Sequence, residues 1–156
     1  MIAPGLYRLK NVDYSQRGEI VSIIVDGIVK SQTVIFSGVD YFGERYYLTE
    51  EGWRYIIDSR RKRSGQDFIL KHLDKIPAVL KAPIIVARHP QKASSNHLFL
   101  KDVVFPESAH KKIFLLVVLK KSNINIVWNY LWQEGSKIPE GSEIIFRSHN
   151  AKRYLR

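Results

Sequence analysis

The run IFLLVVL at residues 113–119 leaves few architectures open. Extended, it is apolar on both alternating faces, so it predicts the central strand of a sheet. As a helix it is far too short to cross a bilayer, which takes about 20 residues.

The flanking sequence reads as its neighbours. Strand candidates lie at 84–87, 98–105, 124–132 and 143–146, and Ser122-Asn123 predicts a hairpin into 124–132. Strict alternation places Ile124, Ile126, Trp128, Tyr130 and Trp132 on one face of that strand, and Asn125, Val127, Asn129 and Leu131 on the other.

Upstream, EIVSIIVDG (19–27) and TVIFSG (33–38) are rich in β-branched residues, and Asp26-Gly27 signals a tight turn. A further strand reads at 46–48. Thr49 then suits a helix N-cap, followed by Glu50 and Glu51 at the positive end of the dipole. Trp53, Ile56, Ile57 and the stem of Arg60 share one face, and Ser64-Gly65 ends the helix. Phe68, Ile69, His72 and Leu73 have helical spacing, with a kink or restart expected at Pro77. The expected fold is α+β: two helices packed on an antiparallel four-stranded sheet, with an N-terminal β extension. The expected divisions are a β-rich extension at 1–43, a helix–sheet domain at 44–148 and a basic tail at 149–156.

A hydrophobic content of 45% is ordinary for a folded domain and excludes a disordered chain. MIAPGLYRLK lacks the marks of a secretory signal, and the chain has no cysteine. Both fit a cytoplasmic protein. Net charge is +10 and lopsided: five Lys/Arg face seven Asp/Glu in residues 1–51, against twenty and eight thereafter. Such a surplus is the footprint of a polyphosphate binder.

No glycine-rich phosphate loop, GxSxG, HExxH or EF-hand pattern occurs, and the five histidines show no metal-ligand spacing. The reading therefore calls for no metal and no cofactor. What remains is basic and imidazole chemistry. Arg88 and His89 end one strand; His97, Phe99 and Lys101 share a face of the next. Arg54 and Arg61 occupy the exposed side of the first helix, which ends in Arg60, Arg61, Lys62 and Arg63; Asn129 lies on a later strand. Metal-free RNA cleavage needs a base, an acid and cations on the phosphate, which these types supply. Phe99, Trp128 and Tyr130 are candidate stacking surfaces. Plainer readings stand beside these. Trp53, Trp128 and Trp132 suit a core, His72 a packed helix face, His110 a solvated turn, and 60–63 a helix C-terminus that favours cations.

The order YxLTxExW…I from Tyr46, AP-I-I from Ala82, HLFLK, FLLVVLK and NIVWNY resembles the phage and prokaryotic nuclease-like domains of the barnase–EndoU–colicin–RelE group, over about residues 44–132. The resemblance implies a helix or helix pair on a four-stranded antiparallel sheet, with a metal-independent ribonuclease site between them. Lys101 and the strand ending at Lys120 match. Tyr55 and Arg60-Arg61 stand where members carry histidines, and Trp128-Asn129 where they carry Thr and a small residue.

Two functions are expected. The first is an RNA-binding, metal-independent endoribonuclease with His97 or His89 as base or acid, and Arg88, Lys101 and Arg60 on phosphate. The second is a non-catalytic module that binds nucleic acid, RNA before DNA, or a protein-interaction module of toxin–inhibitor type that meets an acidic protein inhibitor. No membrane partner is expected.

Overall fold

The computed structural model describes residues 4–90, 96–135 and 138–149. Apart from His149, the basic tail lies outside them, as does most of the polar loop after Pro90.

Strand β6 (Lys112–Lys121) is internal, and its residues 113–120 are all buried. Leu115, Val117 and Leu119 enter the main core, while Phe114, Leu116 and Val118 enter a second cluster on the opposite face. Antiparallel neighbours flank it: β5 (Asn96–Val104) on one side and β7 (Asn125–Gln133) on the other. Beyond β5 come β4 (Ile85–Arg88) and then β8 (Glu143–Arg147). Beyond β7 come β3 (Arg45–Thr49), β2 (Ile28–Val39) and β1 (Ile20–Val25).

The expected four-stranded antiparallel sheet with a separate β extension is thus incorrect. The strands form one eight-stranded mixed sheet in the order β1-β2-β3-β7-β6-β5-β4-β8. The join is parallel: Tyr46 pairs with Asn125 and Tyr47 with Ile126. Burial makes it favourable, since Leu6, Ile35, Phe36, Tyr46 and Leu48 enter the same core as Val86, Phe99, Leu115 and Trp53. Alternation in a sequence says which side chains share a face, but not which strand lies alongside.

The first helix starts where expected, and the second is shorter. α1 (Glu50–Arg61) follows β3 directly, with Thr49 Oγ1 accepting from Gly52 N at 3.0 Å. Trp53, Ile56 and Arg60 form its buried face. The second helical segment is a 3-10 turn, Asp67–Lys71, and then the short α2 (Lys75–Lys81). The restart comes at Lys75, which leaves Pro77 in the first turn of α2, where its missing N–H has no intrahelical acceptor. α1 packs against β7, β2 and β3, whereas α2 lies over β5 and β6.

Alternation also fails in β7. A register shift opposite Val118/Leu119 pairs Val118 with Asn129 and Leu119 with Val127. Val127 and Tyr130 therefore both enter the main core, while Trp128 packs with the clusters on the opposite face. Among the described residues, no helix is long and apolar enough to cross a membrane.

Candidate nucleic-acid interface

Two polar regions flank the turn between β2 and β3. On one side is a cleft of about 1110 Å³, lined by Arg8, Lys10, Arg45, Lys81 and Lys101 against only Asp13 and Asp74 as carboxylates. Its walls are the segment after the first 3-10 turn, the end of β2, the start of β3 and the C-terminal end of α2. Tyr46 also lines it, the ring so close to Gly38 that a Cβ there would collide with the hydroxyl oxygen. Burial, helped by the charge of Asp40, pushes the Tyr46 hydroxyl well above its ordinary range, so it stays protonated. Arg45 Nη1 donates to Ser37 Oγ at 2.7 Å and lies 3.6 Å from Asp13. Lys101 Nζ donates to Ala82 O at 2.9 Å, which leaves further N–H donors for a ligand. At neutral pH such a lining favours anions.

On the other side a polar row crosses the end of the sheet. Arg88 pairs in register with His97, and Arg88 Nη1 lies 3.3 Å from Glu143. Lys121 Nζ lies 3.2 Å from Glu44 and 3.9 Å from Asp40. Burial pushes the His97 imidazole down to about 4; Lys121 and Arg88 add to this and Glu44 and Glu143 oppose it. His97 is therefore neutral at pH 7. Glu44 is held below the ordinary carboxylate range, chiefly by the hydrogen bond from Lys121. Among the described residues, no three of His, Asp and Glu are grouped to hold a metal ion.

The turn between the two regions is firmly built. Asp40 Oδ1 accepts from Phe42 N at 2.9 Å and from Glu44 N at 3.0 Å, and Gly43 takes φ +80°. Tyr41 N donates to Leu80 O at 2.8 Å, which ties the turn to α2.

The residues expected to form one catalytic group occupy separate places. Arg88 and His97 are neighbours. Lys101 is four residues along β5 from His97, about 13 Å away at the rise of a strand, and faces the cleft. His89 follows the end of β4, its backbone N–H donating to Asn96 O. Arg60 is buried, its Nη1 donating to Gln66 Oε1 at 2.9 Å, and burial lowers its pKa. Arg54, Arg61, Lys62 and Arg63 are exposed on α1 and just past it. Phe99 and Tyr130 are fully buried in the core. Asn129 Oδ1 accepts from the backbone of Tyr130 at 2.9 Å, beside the register shift.

The sequence reading missed Arg8, Lys10 and Arg45, because the first third of the chain is net acidic. It also passed over Tyr41 and Phe42, exposed at the turn. The available signal was DYFG: Asp and Gly at the ends of a turn, with two aromatics between.

Comparison with known protein families, with curated proteins and with solved structures finds no match to this chain.

Proposed function

We propose that this protein binds nucleic acid, RNA in the first instance, and does so without cleaving it. The cation-lined cleft carries the reading: five Lys/Arg around a half-sheltered volume too large for a single phosphate. A net charge of +10 supports it, since each phosphate neutralised releases counterions. The wide separation of Lys101 from His97 supports binding over turnover. The test is binding of labelled RNA in EDTA at rising salt. Salt-sensitive binding with intact RNA is the expected result, and no binding at low salt would sink the idea.

A second reading, metal-independent endoribonuclease action, draws support from one observation. His97 is a neutral imidazole beside Arg88 and Lys121, a proton acceptor next to two cations. Cleavage of RNA in EDTA between about pH 5 and 9, abolished by His97→Gln, would favour it over simple binding.

A further inference from the structure

We propose that Tyr41 and Phe42 form a base-stacking platform beside the basic cleft, so that the ligand is single-stranded nucleic acid. This rests on the nucleic-acid reading above.

The two residues are 46% and 40% exposed, at the tip of a turn rather than in a core. They stand edge to face, with centroids 5.3 Å apart. Each also meets an aromatic ring of the sheet. Tyr41 packs on Phe146 at 4.3 Å, and Phe42 meets the buried Phe99 at 6.1 Å.

The placement suits a strand lying in the cleft. Gly38 and Val39, just before the turn, and Arg45, just after it, line the cleft. Tyr41 is hydrogen-bonded to Leu80, next to the cleft residue Lys81. Phosphates along Lys81, Lys101 and Arg45 would thus lie beside bases over the rings. Cationic grooves flanked by aromatic faces are how single strands are held irrespective of sequence, because every base has a π-face. Paired bases are stacked on each other already and would not offer that face.

The rings are also preorganised. Asp40 holds the turn through two backbone N–H groups, and Lys121 neutralises the buried Asp40 from 3.9 Å. Little freedom remains to be lost when a base docks.

The experiment measures fluorescence anisotropy with a 12-nucleotide single-stranded RNA, and competition by inorganic polyphosphate, which has charge but no bases. Wild type is compared with Tyr41→Ala, Tyr41→Phe, Phe42→Ala and Phe42→Leu. Phe42→Leu keeps an apolar contact with Phe99 if the alanine variant fails to fold. Loss of a ring should weaken RNA binding about tenfold and leave polyphosphate binding unchanged, with Tyr41→Phe like wild type. Unchanged RNA affinity in the ring-deleted variants overturns the platform while the binding reading stands. An equal loss for RNA and polyphosphate overturns it too, since the turn then acts only on the cations. Failure of wild type to bind either probe overturns the binding reading itself.

Discussion

The carboxamide of Asn123 holds the backbone of Ile24 as a neighbouring strand would. Its Oδ1 accepts from Ile24 N at 3.1 Å, and its Nδ2 donates to Ser22 O at 2.8 Å. Ser122 Oγ donates to Ile24 O beside it. β1 ends the sheet, and a free strand edge is a site for unwanted pairing. Here the β6–β7 turn covers part of that edge, while Ile23 and Val25 pack with Ile126 beneath.

Asn123→Ala should therefore cost about 1–2 kcal/mol, from two hydrogen bonds at a partly solvated site. Denaturant titration measures it. Amide exchange at Ile24 should quicken more than at Val117 in the centre of the sheet, and equal protection in mutant and wild type would rule out the clamp.

Gly52→Ala should destabilise, although alanine is the better helix former by about 1 kcal/mol. A Cβ at Gly52 would lie 3.0 Å from the Val127 carbonyl oxygen and 3.1 Å from Thr49 Oγ1. Val127 belongs to an internal strand that cannot easily retreat, so overpacking should win by about 1–3 kcal/mol. Thermal melting reads the sign.

Within the basic run of α1, Arg60 should behave unlike its neighbours. It is 6% exposed and bonded to Gln66, whereas Arg61 and Arg63 are exposed. Arg60→Ala should lower stability by about 1–3 kcal/mol through lost packing and hydrogen bonding. Arg61→Ala and Arg63→Ala should stay within about 0.5 kcal/mol. Denaturation midpoints of the three variants compare them directly.

His97 should make the protein less stable in acid. Its folded pKa of about 4 lies below the ordinary 6.5, so between these values the unfolded chain binds more protons. Its contribution is complete above about pH 6.5 and is lost as pH falls to about 4. Glu44, also depressed, adds a loss of the same sign below its ordinary 4.5. NMR titration should place the His97 midpoint near 4, and denaturation of His97→Gln should show a shallower decline between pH 6.5 and 4.5.

If RNA lies in the cleft, Lys81→Gln and Lys101→Gln should weaken it alike for all sequences. Each should also reduce the slope of log affinity against log salt by about 0.7, the value for one phosphate of a single strand. Unchanged slopes in both would move the binding surface elsewhere.

Local signals carried much of the secondary structure. Thr49 caps α1, Ser122-Asn123 turns β6 into β7, and the 113–119 run lies in an internal strand, because capping, turn chemistry and two-sided hydrophobicity act over a few residues. The charge surplus was visible in composition. The parallel join of β3 to β7 was not, since nothing in Tyr46 names Asn125 as its partner. The register shift in β7, which turns Val127 and Tyr130 to the same side, was equally hidden, whereas helical spacing already placed the stem of Arg60 on the apolar face of α1. The cleft shows the difference most clearly. Arg8, Arg45, Lys81 and Lys101 are spread over more than ninety residues, and only folding sets their charges around one volume, because non-local burial rather than local propensity decides which segments meet.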